Sequence, residues 1–525
     1  MKSMSKLTLK RGMLSRWEIP LTVLCLAIIV VIVSLAVWPS LIAQGRDSTI
    51  FAYFGFAVTK GAVAYRDVWD HKPPLVFAMN ALAFWLFGPD RVAIWIITTL
   101  NTLWTALLFF WLVRRLFPER REWAWFGTVC FVLLMRHPLL AEDGNYTEPY
   151  ALLPHLAMLL AGHAFLQQPK LLWAGLVGTF AALASVGRPT FVGSALLLWP
   201  AILLAHDPLL RERRWWCWLM VMLAGGLVVW GSVLIGLAIS DALSDGLDAI
   251  ILFNWYYGQS ELGLLHKLLI GLTDWATRSL AVPIAPIVVL CLVMVGRQII
   301  CRQNYRQVDR TFWLWVLSGF LADLLIANVS GRGYSHYFIV IIPQMVLLLV
   351  GGIIRIGSPR TRFALAIYVF LTFGGLFVKY AVFEPIARNR TLTGPSLVHP
   401  VAVYVREHTG SDDLVYVWSR GGEINFQAQR VNPGRYFMAA HLDYDWPGKA
   451  RMIQSVVRDL QTKPPAMVVD MAKLELLTPL DDALDDPALQ PIHDYIAEHC
   501  VLAERIFYDL VPIYHCNGFE PKVTS

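Results

Sequence analysis

Between its first two long apolar runs the chain carries GRDSTIFAYFGFAVTKGAVAYRDVWDHKPPLVF, starting at Gly45. Ionic groups at this density beside apolar helices are costly unless they meet a partner or a ligand. Asp47 stands just past the first run, at the membrane surface. Arg66, Asp67, Asp70, His71 and Lys72 follow, and Pro73-Pro74 stops any helix there and points the chain back to the bilayer. A second stretch, AEDGNYTEPYALLPHL from Ala141, brings Glu142, Asp143 and Glu148 to the ends of two helices. Glu148 directly precedes Pro149, so a helix-start role competes with chemistry. Glu142 and Asp143 have the character of solvated loop residues. A third stretch, NVSGRGYSHYFIVIIP from Asn328, places Gly331 and Gly333 around Arg332, with His336 and Tyr337 next. A Gly-Arg-Gly turn lets backbone and guanidinium approach an anion. Taken together these loops offer carboxylates, Asp47 and Glu148, and cations, Lys72, Arg332 and His336. A carboxylate can act as general base toward a hydroxyl, and Lys with Arg suits a phosphate. The plain alternatives are wet loops with ion pairs and an arginine that snorkels at the interface.

The elements that must position these groups are membrane helices. The chain has 525 residues, 57% hydrophobic and 16% charged, against about 45–50% and about 25% in soluble proteins. That excludes a disordered chain and a soluble enzyme of this length. Runs of about 20 apolar residues fall near 20–43, 91–113, 123–140, 149–167, 171–186, 190–205, 215–240, 279–296, 311–328, 337–354 and 363–380. The first run is longer than a signal-peptide core and reads as an uncleaved anchor. The run 73–87 is too short to span and belongs at the interface, and STIFAYFGFAVTKG before it is amphipathic enough to lie flat.

Charge follows the same layout. Residues 1–380 hold 31 Lys and Arg against 19 Asp and Glu, and residues 381–525 hold 13 against 19. The basic half is the apolar half, so the charge reports topology and not nucleic-acid binding. With a cytoplasmic N-terminus, eleven spans put the N-terminal tail and the clusters Arg114–Arg121, Arg211–Arg214, Arg297–Arg310 and Arg355–Arg362 on the cytoplasmic side. The three motif loops and the C-terminal segment then share the outer side.

From residue 381 the pattern changes. Helical spacing at 398–408, 450–461 and 491–499 alternates with strand-like runs at 413–419, 466–471 and 502–516, which predicts a small α/β domain. Cys25, Cys130, Cys217 and Cys291 fall in apolar spans and Cys301 on the cytoplasmic side. Cys500 and Cys516 stand together in the outer domain, an oxidising compartment, and are expected to pair. The expected organisation is a cytoplasmic tail (1–19), a transmembrane domain (20–380) and an extracytoplasmic α/β domain (381–525). The fold class is a polytopic α-helical membrane protein of about eleven helices with a small C-terminal α/β domain.

AYRDVWDHKPPL with an acid just after helix one, TEPYALL at the start of span four and GRGYSHYFIVIIP together resemble bacterial polytopic glycosyltransferases of the C-type fold. The nearer group is glycosyltransferase family 39, the protein mannosyltransferases and lipid A aminoarabinose transferases. The resemblance implies inverting transfer of a sugar from a polyprenyl-phosphate carrier to an acceptor hydroxyl, on the outer face of the bacterial cytoplasmic membrane. It implies Asp47 as general base and Glu148, or alternatively Asp143, as a second acidic residue. It implies Lys72 on the carrier phosphate, with Arg332 and His336 assisting, and Arg66, His71 and Tyr337 as further binding candidates. Several relatives have two adjacent acids in the first motif where this chain has Asp47-Ser48, which argues against a metal site; no cofactor is expected to be required. The expected partners are the donor lipid, a cell-envelope glycan, lipid or protein acceptor, and the bilayer, with no nucleic acid. A transporter or flippase of lipid-linked sugars and an envelope scaffold are the competing classes, but no inverted repeat is visible and the charges gather at one end of the helices instead of the midplane.

Overall fold

The computed structural model describes residues 18–207, 209, 215–258, 263–278, 281–301, 307–384, 398–419, 421–442, 444–475, 479–480 and 486–519. The basic residues of the N-terminal tail, Arg211, Arg213 and Arg214, Arg302 and Arg306, and the Cys301 side chain lie outside the described residues. The chain is mainly helical, and its helices include α1 (Glu18–Leu35), α2 (Arg46–Thr59), α3 (Leu75–Phe87), α4 (Arg91–Leu116), α5 (Arg121–Met135), α6 (Thr147–Gln167), α7 (Leu171–Gly187), α8 (Trp215–Ile239), α9 (Ala281–Cys301), α10 (Gln307–Ala327), α11 (Ile342–Ile354) and α12 (Pro359–Val378), besides Leu264–Arg278. Among the described residues seven helices are long and apolar enough to cross a membrane: Glu18–Leu35, Arg91–Leu116, Thr147–Gln167, Trp215–Ile239, Asp309–Ala327, Ser335–Ile354 and Pro359–Phe383. Each of the eleven expected runs is occupied by helix. Of the other four runs, the one near 279–296 is occupied by the 21-residue helix α9, and three are shorter or broken. The run near 123–140 ends at Met135, and the run near 190–205 is split into a 3-10 turn, Pro189–Val192, and two short helices.

Apolar burial and a few buried polar pins set the packing. Phe109 of α4 stacks on Phe131 of α5 with centroids 4.6 Å apart. Asn101 donates from α4 to the Pro149 carbonyl of α6 at 2.8 Å, satisfying an amide side chain that lipid could not. Deeper, Gln344 of α11 donates to Asp323 of α10 and to Ser194, each at 2.8 Å, and its amide nitrogen lies 3.0 Å from His155 of α6. All four residues are buried. By contrast α8 buries only Met222 and Leu237, as expected of a helix that faces lipid on most sides.

The expected flat amphipathic helix is instead buried. α2 is covered at every residue from Ser48 to Ala57. One side meets α3, where Phe54 stacks on Phe77 at 3.6 Å. A Cβ on Gly55 would come within 2.6 Å of the Asn80 Cβ, so only glycine allows this approach. The other side meets the C-terminal segment, a layer the hydrophobic pattern of α2 alone does not announce.

That segment comprises α13 (Pro400–His408), β1 (Val415–Trp418), α14 (Gly421–Ala428), α15 (Lys449–Thr462), β2 (Met467–Asp470), α16 (Gln490–His499), β3 (Cys500–Ile506) and β4 (Val511–Cys516). The sheet order is β1-β2-β4-β3. β1 and β2 run parallel, with Val415 opposite Met467, and the other pairs are antiparallel. A parallel pair needs a long crossover, supplied by α14 and α15. α14 was not foreseen; it packs on α2, and Phe426 stacks on Phe84 of α3 at 5.3 Å. Asn432 donates its backbone N–H to the Tyr53 hydroxyl at 2.8 Å, and Trp69 donates to the Arg435 carbonyl at 3.0 Å. Arg435 pairs with Asp245 at 2.7 Å.

Cys500 and Cys516, opposite each other across β3 and β4, are joined by a disulfide. Their separation is 16 residues, and closing a loop of that size is worth about 3 kcal/mol. Replacing both by serine should reduce hydrogen-exchange protection of β3 and β4 amides by about that amount. Unchanged exchange would show that the strand ladder holds without the bond.

Candidate active site

The motif loops meet under the C-terminal segment in a cavity of about 370 Å3. Asp47 lies in the first turn of α2, where the helix N-terminus favours a negative charge. His71 and Lys72 enter from the loop before α3, and His336 and Tyr337 from the turn before α11. The roof comes from the C-terminal segment through Met438, Ala440, His441 and Tyr444. Five of the sequence candidates therefore share this wall: Asp47, His71, Lys72, His336 and Tyr337.

The Lys72 ammonium lies 2.7 Å from Nε2 of His71. An ammonium carries only donors, so Nε2 must accept and the imidazole proton sits on Nδ1. That nitrogen lies 3.7 Å from Asp70. Burial, with the charges of Lys72, His441, Arg332 and Arg188, holds His71 well below the usual histidine range, so it stays neutral. Burial pushes the Asp70 carboxyl up, while the Lys72 charge and its backbone N–H, at 2.9 Å, pull it down. The loop is pinned on both sides: Tyr65 donates to the Lys72 carbonyl at 2.8 Å, and Asn254 to that of His71 at 2.6 Å.

Arg332 is not on the cavity wall but stands behind it. Its guanidinium lies 3.8 Å over the Tyr257 ring and 5.6 Å from that of Tyr444, both of which line the cavity. Arg66 is turned elsewhere; it pairs with Asp67 at 2.9 Å and donates to the Ser240 carbonyl. Asp143 is also off the cavity. It accepts from Ser48 at 2.7 Å and from the Asn145 backbone, and burial raises its carboxyl. Ser48, in the place of a second acid, points into this buried hub. A carboxylate there would face Asp143 directly.

Glu148 is fully buried and pairs with Arg188, at the end of α7, while accepting from Thr147 at 2.8 Å. Arg188 lies 3.9 Å over the Tyr337 ring, and the His336 imidazole is 4.0 Å from Glu148. Arg188 also lines a second cavity of about 220 Å3, together with Pro73, Ile326, Ala327 and Val329. His71, Lys72, Tyr257 and Tyr337 line both spaces.

Four residues at the site go beyond the sequence candidates: Glu142, Arg188, His441 and Tyr444. Glu142 lines the first cavity near Asp47 with its side chain exposed to that space, and the partial enclosure there, with the charges of Asp143 and Asp47, raises its carboxyl. Its φ of 45° is unusual for a non-glycine residue, a form of strain that collects at functional sites. Arg188, an arginine between Gly187 and Pro189 at the end of an apolar run, was a visible signal left unused. His441 and Tyr444 gave none, being far along the chain. Asp70, His71 and His441 have ligand atoms within 4.8 Å of one another and form the metal-capable group among the described residues, although Lys72 already occupies one His71 nitrogen.

Neither a protein-family model nor a curated protein matches the sequence. Solved structures do match. ArnT from Cupriavidus metallidurans bound to undecaprenyl phosphate superimposes with a TM-score of 0.60 at 14% identity, over 95% of this chain and 98% of that one. The chain has the ArnT fold. Apo ArnT from Cupriavidus metallidurans gives 0.58 at 14% identity, over 94% and 98%. The arabinofuranosyltransferase AftD from Mycobacteria gives 0.46 at 14% identity, over 94% of this chain and 40% of that one, too low to bear on the argument. At 95% of this chain, the match takes in the helical body and the sheet-bearing segment together.

A buried carboxylate without its counter-charge costs about 3–5 kcal/mol. Arg188→Leu should therefore lower the melting temperature markedly, and adding Glu148→Leu should recover most of the loss. Equal melting of the single and double variants would show that the pair does not hold α6 to α7.

Proposed function

We propose that the protein transfers a sugar, with inversion, from a polyprenyl-phosphate carrier to an acceptor hydroxyl at the outer face of the cytoplasmic membrane. The observation that carries this is the presence of Asp47 and Lys72 on the wall of one cavity, beside a second, more apolar one. In this reading the carrier phosphate sits at the partition, against Lys72 and Arg188, its apolar chain in the second cavity and its sugar in the first. ArnT bound to undecaprenyl phosphate supports a lipid-linked phosphate as the donor class.

The step needs a base, a leaving group and cations. Asp47 takes the proton of the acceptor hydroxyl as its oxygen bonds to the anomeric carbon. The bond from that carbon to the carrier phosphate breaks, and the electron pair stays on phosphate. Fixed cations stabilise the charge as it develops. Lys72 supplies it directly; Arg188 and, through Tyr257, Arg332 add to the field. One displacement inverts the centre with no covalent intermediate, so a retaining pair of acids is not required. Glu142 lies on the same wall as Asp47 and adds a second carboxyl toward the sugar or acceptor. The cavity lies among helix ends at one end of the bundle, which favours transfer over transport through the midplane.

Asp47→Asn should reduce kcat by about 100-fold or more while donor affinity holds; unchanged turnover removes the base assignment. Lys72→Ala should weaken donor binding by about tenfold or more, measured by titration with polyprenyl phosphate. Unaltered affinity would make Lys72 structural. Chelators are expected to leave turnover intact, whereas a loss restored by zinc or manganese would assign a metal to Asp70, His71 and His441.

A further inference from the structure

An apolar recess lies at the opposite end of the bundle from the cavity just described. It is a groove of about 340 Å3 between α4, α6 and α7. Trp111 and Arg115 line it from α4, Ala157 and Ala161 from α6, and Trp173 and Phe180 from α7. Each pair recurs at the spacing of one or two turns, so three helical stripes face one another. The two alanines leave the room; longer side chains there would fill the groove. Its α4 wall runs from residue 108 to Arg115, about 10 Å of helix.

The groove has two chemistries. Its walls are apolar and half-open, so within a bilayer an empty groove would forfeit dispersion contacts along its length. At its end stands Arg115, in the last turn of α4 and exposed. Arg115 forms no salt bridge among the described residues, whereas Arg121, in the next helix, pairs with Glu18. Indole rings such as those of Trp111 and Trp173 favour the membrane–water boundary. A neutral amphiphile would fill the groove and leave the guanidinium without a counter-charge. A free phosphate would meet the guanidinium and leave the groove unfilled.

We propose that this groove binds one acyl chain of an anionic bilayer phospholipid, with the lipid phosphate on Arg115. The site is separate from the proposed donor site, since no lining residue is shared. Arg114 in the same last turn, Arg120 just before α5 and Lys170 just before α7 are further basic residues at these helix ends and add to the attraction for an anionic headgroup.

Native mass spectrometry of the full-length protein, stripped of lipid and incubated with phosphatidylglycerol or phosphatidylcholine of matched chains, tests the site. One tightly held phosphatidylglycerol is expected, preferred about fivefold over phosphatidylcholine. Arg115→Gln, an exposed change that leaves the helix intact, should abolish the preference and keep the chain. Ala161→Phe should displace both lipids. Equal retention of the two headgroups by the unaltered protein, a preference that survives Arg115→Gln, or displacement of the lipid by inorganic phosphate alone would overturn the proposal.

Discussion

Charge taken out of water must meet an opposite charge or an oriented dipole, because the low-dielectric interior magnifies every unpaired group. The motif loops are arranged by this constraint. Glu148 lies wholly buried on Arg188; Asp143 rests on Ser48 and a backbone N–H; Lys72 rests on a neutral His71. Two of these contacts, Glu148 with Arg188 and Asp143 with Ser48, join residues far apart in the chain, so meeting them draws α2, α6 and α7 to one place. What is left facing the cavity is a set of polar groups supported from behind. Such support is what an active site needs, since groups fixed beforehand do not have to reorganise during reaction.

The sheet-bearing segment completes that arrangement. It covers α2, anchors to Tyr53 and to the loop at Trp69 by backbone hydrogen bonds, and lowers His441 and Tyr444 onto the cavity. Tyr444 then flanks Arg332 together with Tyr257. The segment is part of the wall rather than an appendage.

Much of this was legible beforehand, and the reasons are physical. Apolar runs report helices directly, and the strands at 415–418 and 467–470 stand inside the runs that alternation and branched side chains marked. Ionic residues next to apolar helices stood out because they are rare there, which is how Asp47, Lys72 and His336 were found. What stayed hidden was pairing across distance. Arg188 finds Glu148 from 40 positions away, and no local pattern encodes that. Glu142 reads as a solvated loop residue and its side chain is exposed; what no local pattern shows is that the space it faces is the cavity. Arg66 looked like part of the cluster, yet its nearest carboxylate is the adjacent Asp67, and local pairing won. α2 has the composition of a surface helix and becomes an interior one because a later segment covers it.

Because the roof is a later stretch of chain that brings its own side chains to the cavity, two regions far apart in sequence have to fold together before that space is enclosed. Tyr444 lies against Arg332 and His441 against Asp70 and His71, so a change within the roof is felt in the loop that carries Lys72 as well.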